Sequence, residues 1–345
     1  MSALRGDLRA PTPLPAQISG LLDAFVADGG ASAAGACVVR GDGRAFAHVV
    51  GRTRAVCADG AGGYRADPGR GVDLDTPFDL ASLSKPLGTT NLLAACVAEG
   101  RLNLDDPVGR WLPDAPAPVA HWPLRLLLGH ASGWPAWLDF AADVGDRDDA
   151  AAAARLRAAV LATPPEAPPG ERAVYSDLGF LTLGWVLEAA TGLPLDAAHR
   201  TRFADRGLLR GLRYGGPGTP GEGAADPCVA TEVWPRRSVG GRALCGVVHD
   251  DNAAVLRGIA GHAGLFGSVR AVAGAAAHWL AAVGHGVDAH DGALPATLAR
   301  AWVNTAAAPE TTWRLGWDTP SRPTSTAGSR ASGRAFGHLG FVGTS

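Results

Sequence analysis

The stretch that most constrains this chain is residues 78–87, which read FDLASLSKPL and place Ser82 three positions before Lys85. Lys85 is the only lysine among 31 basic residues, and the other 30 are arginines. An arginine side chain does not release its proton in a protein, whereas the amine of a desolvated lysine can. The single lysine therefore indicates proton chemistry at this position. In the alternative, Ser82 or Ser84 caps a helix and Lys85 is solvated.

The residues after this motif fit a helix. The pattern predicts about four turns over 84–99, ending at Gly100. Pro86 falls in the first turn, where its missing N–H costs little. Side chains three positions apart share a helix face, so the amine of Lys85 is expected beside the hydroxyl of Ser82 and near the free N–H groups of the helix start.

Length and charge limit the classes of protein that this chain can be. A chain of 345 residues can form two domains, or one large domain with an inserted lobe. The net charge of −2 and the lack of a basic run give no surface for nucleic acid or an anionic membrane. We see no signal peptide and no membrane-spanning apolar run, so a cytoplasmic location is expected. The cysteines are odd in number and far apart, which indicates neither a disulfide framework nor a zinc site: Cys37, Cys57, Cys96, Cys228 and Cys245.

Periodicity divides the chain into a sheet-based part formed by 1–110 and 246–345 and a mostly helical lobe, 111–245, inserted between them. We predict strands at 34–40 and 45–51, joined by a Gly-Asp-Gly turn. Strand-like pieces follow near 313–317 and 335–342. Further helices are predicted at 15–28, 124–129, 149–162, 177–190, 250–257 and 269–283.

Tyr175 is the candidate third member of the Ser82 and Lys85 pair. Acyl transfer needs a nucleophile, a group that takes its proton, and donors for the oxyanion. Tyr175 is one of three tyrosines and begins a buried helix after a proline-rich loop, which holds its ring in place. A phenol near an ammonium can relay a proton. In the alternative, Tyr175 packs at the edge of the core.

Other constellations are weaker. The spacing of His249, Asp250, Asp251 and His262 fits no zinc motif, and no metal or cofactor is expected. A Ser-His-Asp triad of Ser132, His130 and Asp139 would lack a nucleophile elbow. Four aromatic residues either line an apolar acyl pocket or pack the helical lobe: Trp122, Trp134, Trp137 and Phe140.

Several motifs in order resemble the class C β-lactamase-like serine hydrolases, a family of β-lactamases, D-alanyl-D-alanine peptidases and esterases. They are Ser82-x-x-Lys85, then Tyr175-Ser176-Asp177, then His338-Leu339-Gly340. Supporting segments are LLLGHASGW at 126–134, AGHAGLF at 260–266, LGWD at 315–318 and FGH at 336–338. The resemblance covers about 18–345. It implies a single α+β domain, an antiparallel sheet flanked by helices (an α/β/α sandwich) with an inserted all-α lobe, and a site in the cleft between the two parts.

The resemblance also implies roles for individual residues. Ser82 would be the acylated nucleophile, and Lys85 and Tyr175 would share the general-base role. The backbone N–H groups of Ser82 and Phe341 would form the oxyanion hole. The substrate-binding positions would be Asp177, His338, Leu339 and Gly340.

Two of these positions depart from the family pattern. Asp177 replaces an asparagine, which removes an NH₂ donor and adds a negative charge near Lys85. His338 and Leu339 replace the Lys-Thr pair that grips a carboxylate, and a neutral histidine with a leucine grips it less well. This departure weakens the β-lactamase and peptidase interpretations and favours a carboxylesterase or related acyl hydrolase, with a small-molecule ester or amide as substrate.

The family's final strands and C-terminal helix are also absent after Ser345. Their absence is expected to leave an unpaired sheet edge and to expose the helix at 15–28 around Leu22 and Phe25. Three hypotheses remain open. They are a carboxylesterase-like serine hydrolase, a β-lactamase or D-alanyl-D-alanine peptidase-type hydrolase, and a catalytically inactive binding protein or gene fragment. The sequence does not address the oligomeric state.

Overall fold

The computed structural model describes residues 8, 11–144, 151–206, 209–216, 226–234, 236–285, 294–321 and 323–345. Over these residues the fold is mixed α+β, as the resemblance implied. No single helix in the described residues has the length and apolar composition needed to cross a bilayer. One bent pair, Asp177–Thr191 with Leu195–Arg206, meets those criteria only when its helices are taken together.

The described strands form three small sheets. A parallel edge strand and an antiparallel hairpin make the first, in the order β1-β3-β2, and the hairpin register runs from Ala33 opposite Gly51 to Val39 opposite Ala45. The hairpin confirms the predicted strands. The other sheets have the orders β4-β5 and β6-β8-β7. The strand bounds are β1 Thr12–Pro13, β2 Ala33–Val39, β3 Ala45–Gly51, β4 Val56–Ala58, β5 Tyr64–Ala66, β6 Phe78–Asp79, β7 Arg213–Tyr214 and β8 Leu265–Gly267.

The helices follow the predicted order closely, and most of those between 108 and 202 fall within the segment predicted as a lobe, 111–245. Part of the predicted helix at 149–162 lies outside the described residues, since 145–150 are not described. The bounds are α1 Ala16–Ala27, α2 Asn91–Ala98, α3 Val108–Trp111, α4 Leu124–Leu128, α5 Phe140–Asp143, α6 Ala152–Ala162, α7 Asp177–Thr191, α8 Leu195–Arg202, α9 Asp251–Val255, α10 Val269–His285 and α11 Ala296–Asn304.

Two predicted strand-like pieces are wrong. Residues 313–317 and 335–342 are not strands, and only isolated bridges join Trp313 to Asp318 and Asp318 to Gly337. The apolar side chains of Leu315 and Trp317 are nevertheless buried in the core. An apolar run that packs as a loop cannot be told from a strand by periodicity, because the strand also needs a continuous ladder of hydrogen bonds.

The helix predicted at 84–99 is real but irregular at its start. A 3₁₀ turn at Ala81–Leu83 and a π-helical segment at Lys85–Thr90 precede α2. Pro86 has no N–H to donate, so the regular ladder of hydrogen bonds cannot begin there. π-Helical turns are rare in proteins, and those that occur often lie at functional sites.

Buried aromatic side chains settle one alternative from the sequence. Trp122, Trp134 and Phe140 are buried in the core of the lobe, whereas Trp137 is half exposed. The three buried rings therefore pack the lobe. On α1 no residue is buried, and its largest exposed side chains are Leu21 at 72 % and Phe25 at 52 %.

Two cysteines that are distant in sequence lie together. The Sγ atoms of Cys228 and Cys245 are 3.6 Å apart in the buried interior, and both residues are free cysteines. The spacing of the cysteines along the chain did not indicate this contact. It arises because the loop segments that carry them run side by side, with Thr231 N donating to Leu244 O at 2.9 Å.

Candidate active site

A short strand and a strained turn place Ser82. Strand β6 pairs with β8, and the carboxylate of Asp79 at its end accepts hydrogen bonds from the backbone N–H of Ala81 (2.8 Å) and of His249 (2.6 Å). Ala81 has a φ of 45°, a left-handed conformation that costs an alanine about 1–2 kcal/mol. Ser82 follows directly, so the buried carboxylate of Asp79 stabilises the turn that presents the serine.

Neither serine of the motif caps a helix. The Oγ of Ser84 accepts a hydrogen bond from the backbone N–H of Leu265 in β8 (2.9 Å), which ties the irregular helix to the sheet. No side-chain cap bond starts the segment at Lys85–Thr90, and Lys85 is fully buried. The alternative of a capping serine and a solvated lysine is therefore wrong.

Three oxygen atoms surround the amine of Lys85. Its Nζ lies 2.7 Å from Asp177 Oδ1, 2.9 Å from Ser82 Oγ and 3.1 Å from the carbonyl oxygen of His262. It also lies 4.8 Å from the centre of the Tyr175 ring. An ammonium group has three hydrogens. Two of them are donated to Ser82 Oγ and to the carbonyl oxygen of His262, whereas the contact with Asp177 Oδ1 is an ion pair without hydrogen-bond geometry.

Tyr175 meets the same serine from the other side. Its hydroxyl lies 2.6 Å from Ser82 Oγ, and the residue stands just before the first turn of α7. The imidazole of His130 fixes this position, because its Nδ1 accepts the backbone N–H of Ser176 at 3.0 Å. The ring of Trp313 packs against Tyr175 at 5.5 Å between centres. Tyr175 is thus a member of the site and not only a residue at the edge of the core.

His130 is a positioning residue that the sequence did not reveal. It has a φ of 57°, and its backbone carbonyl accepts the N–H of Val174 at 2.9 Å. Burial, and then the charge of Lys85, hold its pKa well below the ordinary value. The neutral imidazole of His130 accepts the backbone N–H of Ser176. It is therefore not the base of a triad with Ser132 and Asp139. The segment 126–134 was singled out by resemblance alone.

Charge and burial set the protonation states at the centre. Burial alone would lower the pKa of Lys85, but Asp177 and Tyr175 outweigh it and the pKa is raised. Burial raises the pKa of the Tyr175 hydroxyl, and the nearby ammonium offsets this only in part. At neutral pH Lys85 is therefore an ammonium ion and Tyr175 a neutral phenol.

The segment at 338–345 borders the serine. Gly340 donates its N–H to Thr344 O (2.7 Å), and the hydroxyl of Thr344 donates to Leu80 O (3.0 Å). A Cβ at residue 340 would lie 2.8 Å from Leu80 O, which requires glycine. Phe341 is 81 % exposed and stacks on His249 at 5.6 Å. Leu339 is also exposed.

His338 is buried and neutral. Its Nδ1 donates to the carbonyl oxygen of Leu339 at 2.8 Å. Burial, and then the charge of Lys85, lower its pKa to about 4. A cation at this position would bind a carboxylate, but this histidine carries no charge at pH 7.

A group of metal-type side chains lies behind Lys85. Ligand atoms of Asp177, Asp250 and His262 are within 4.8 Å of one another. These atoms are already engaged, since Asp177 pairs with Lys85 and the Nε2 of His262 lies 2.8 Å from Asp250 Oδ1. The charge of His262 outweighs the effect of burial and lowers the pKa of Asp250 to about 2. We interpret the group as the charged surroundings of Lys85.

Asp177 was expected at a substrate-binding position with its negative charge near Lys85, and its carboxylate lies 2.7 Å from the amine of Lys85. The structure thus brings together Ser82, Lys85, Tyr175 and Asp177, with His338 beside them. His130, Asp79, Asp250 and the ring of His262 were not assigned to the site. Each supports it through a contact between segments that are far apart in sequence.

The chain is similar to proteins of one known family. The model of the family described as Beta-lactamase matches residues 18–345. A putative D-alanyl-D-alanine carboxypeptidase of Salmonella typhimurium (strain LT2) is 29 % identical over 294 residues, which cover 78 % of this chain and 66 % of the relative. The chain thus spans about two thirds of the length of the curated relatives that it matches.

Solved structures share the fold. A class C beta-lactamase from Rhodobacter sphaeroides is 18 % identical, with a TM-score of 0.61 over 90 % of this chain and 77 % of that chain. A D-amino acid amidase from Ochrobactrum anthropi SV3, complexed with L-phenylalanine, is 20 % identical, with a TM-score of 0.63 over 94 % and 83 %. The match of the family model over residues 18–345 and this shared fold agree with the motifs in the sequence, and the chain belongs to the beta-lactamase family.

Proposed function

We propose that this chain is a serine acyl hydrolase of the carboxylesterase type. The observation that carries the proposal is the position of Ser82 Oγ, which lies 2.6 Å from the hydroxyl of Tyr175 and 2.9 Å from the amine of Lys85. A serine hydroxyl is a weak nucleophile until a neighbouring group takes its proton. Two groups that can relay a proton lie in hydrogen-bond range of this serine.

The reaction follows from these positions. Ser82 Oγ bonds to the ester carbonyl carbon as its proton passes to the hydrogen-bonded groups around it, and the carbonyl electron pair moves to oxygen. The proposed oxyanion donors are the backbone N–H groups of Ser82 and Phe341, on segments that Thr344 links through Leu80. The tetrahedral intermediate then expels the alcohol, which takes a proton from Lys85 or Tyr175. Water attacks the acyl-enzyme by the same route in reverse.

The charges in the cleft favour an uncharged ester. His338 is neutral at pH 7 and Leu339 is apolar, so the position that would hold a carboxylate carries no cation. The exposed ring of Phe341 and the exposed side chain of Leu339 offer an apolar surface on the segment that borders the serine. We therefore propose short neutral acyl esters as substrates, with no cofactor.

A second candidate is amide hydrolysis. The relatives are named D-alanyl-D-alanine carboxypeptidases, and one structural neighbour is a D-amino acid amidase. Assays with an amino acid amide and with a chromogenic cephalosporin compare this candidate and a β-lactam with a p-nitrophenyl ester.

The first test is covalent labelling of Ser82. A fluorophosphonate probe is expected to label the wild-type chain once, and a p-nitrophenyl ester is expected to be hydrolysed. Ser82→Ala should lose both, while Ser84→Ala is a matched control that retains the nucleophile. A folded wild-type chain that takes no label and hydrolyses no ester would instead support an inactive binding protein.

A further inference from the structure

Neither of the two side chains in contact with Ser82 Oγ can accept its proton in its resting state. Lys85 is charged: its ammonium donates to Ser82 Oγ and to the carbonyl oxygen of His262 and lies 2.7 Å from Asp177 Oδ1, so its nitrogen has no lone pair for the proton of Ser82. Tyr175 is a neutral phenol whose pKa is raised by burial. A neutral phenol can accept the proton of Ser82 only if its own O–H proton passes to another group. Within the hydrogen-bonded set around Ser82, the group free to accept a proton is therefore the carboxylate at the far side of Lys85.

We propose that Asp177 is the terminal proton acceptor of a relay that runs from Ser82 through Lys85. This inference rests on the proposed function. The contacts that carry it are the 2.9 Å from Ser82 Oγ to Lys85 Nζ and the 2.7 Å from Lys85 Nζ to Asp177 Oδ1. Asp177 does not contact Ser82 in this relay, so it acts through Lys85.

The relay balances in protons and charge. Asp177 Oδ1 first takes an Nζ proton from Lys85, and the amine that this leaves turns its lone pair towards Ser82. The proton of Ser82 then moves to Nζ as Oγ bonds to the carbonyl carbon. Lys85 ends positive, Asp177 ends neutral, and the negative charge passes to the oxyanion. When the tetrahedral intermediate collapses, Lys85 donates a proton to the leaving alkoxide and recovers one from Asp177. An asparagine at position 177 could accept a hydrogen bond from Lys85 but could not take its proton.

Other titratable groups around the pair have to be considered in any pH profile. Burial keeps His130 and His338 neutral, and Asp250 stays ionised because its pKa is about 2. These groups are common to the wild-type chain and to a variant at residue 177, so the difference between the two profiles reports on the Lys85 and Asp177 pair. The groups that face this pair are Tyr175, His130, His338, Asp250 and His262.

The decisive experiment compares pH profiles of acylation. The burst of p-nitrophenol from p-nitrophenyl acetate is measured between pH 5 and pH 10 for the wild-type chain and for Asp177→Asn. With the relay, the wild-type rate varies little around neutral pH. Asp177→Asn is expected to lose about 10²- to 10⁴-fold at pH 7, a typical contribution of acid–base catalysis, and to recover as rising pH produces free Lys85 amine.

The opposite result overturns the relay. If Lys85 alone were the base, removing the carboxylate would release its amine at lower pH, and Asp177→Asn would be faster at pH 7. If Tyr175 alone took the proton, the profile would keep its shape. Either outcome refutes the role of Asp177 while leaving the acyl hydrolase intact, whereas a wild-type chain without fluorophosphonate labelling refutes the proposed function itself.

Two further variants guard against trivial causes. Asp177→Glu keeps a proton acceptor, so it is expected to lower the rate but to retain the wild-type shape of the profile, which tests the relay even if Asp177→Asn folds poorly. Asp139→Asn makes the same chemical change at a carboxylate that pairs with Arg236. Its profile is expected to match the wild type. An altered profile there would mean that any loss of charge near the cleft has the same effect.

Discussion

Replacing Lys85 with methionine is expected to destabilise the fold through the carboxylate that it leaves behind. Lys85 is fully buried and Asp177 is nearly so. Methionine has a similar length, so the cavity stays filled, but Asp177 loses its counter-ion. Removing one partner of a buried ion pair typically costs about 3–5 kcal/mol. The unpaired carbonyl of His262 adds about 1–3 kcal/mol.

The assay is urea unfolding followed by tryptophan fluorescence. A loss of about 4 kcal/mol, with a slope near 3 kcal/mol per molar urea, lowers the midpoint by more than about 1 M. The matched variant is Lys85→Met with Asp177→Asn, in which the stranded charge is removed. This double variant is expected to recover about half of the loss or more, so the two substitutions should be strongly non-additive.

The pH dependence has a definite sign. A stranded carboxylate is costly only when it is ionised, so the deficit of Lys85→Met should shrink as pH falls from 7 towards 4. The double variant should show no such change relative to the wild type. The reasoning is refuted if Lys85→Met is as stable as the wild type at pH 7, or if the double variant is no more stable than the single one.

Two other predictions test the site and the fold. Tyr175→Phe removes the hydroxyl that lies 2.6 Å from Ser82 Oγ. It is expected to lower kcat for a p-nitrophenyl ester by about 10²- to 10⁴-fold. An unchanged kcat would exclude a role for the phenol. Burial lowers the pKa of His199 to about 4, so the wild-type chain should lose stability as pH falls from about 6.5 to about 4, by about 3 kcal/mol from this group. His199→Phe, which fits between Phe203 and Tyr214, should flatten that part of the stability profile in urea titrations, and an equally steep profile would refute the assignment.

Much of the fold was predictable where elements are local. The hairpin β2–β3 and the helices α1, α4 and α7 carry their own periodicity and end signals, and the structure has them within a few residues. The segments 313–317 and 335–342 were not predictable in the same way. Their apolar residues are buried as expected, but strand formation depends on a partner backbone that periodicity does not encode.

The site was predictable in its composition but not in its connections. Ser82, Lys85 and Tyr175 were identified from the motif, the single lysine and the resemblance. The contact between Asp177 and Lys85 was expected only as a nearby charge, because nothing in the spacing shows which atoms meet. His130 gave no sign of its role, since its bond to the N–H of Ser176 joins residues 46 positions apart.

The sequence by itself determined the local chemistry of the motif. A serine and the only lysine, three positions apart at the start of a helix, must share a face, and that proximity follows from helix geometry alone. Only the tertiary structure decided the state of that lysine. Its charge is set by burial, by the carboxylate of Asp177 and by Tyr175, and its amine also donates to a carbonyl oxygen 177 positions away. These contacts exist only after distant segments have packed together.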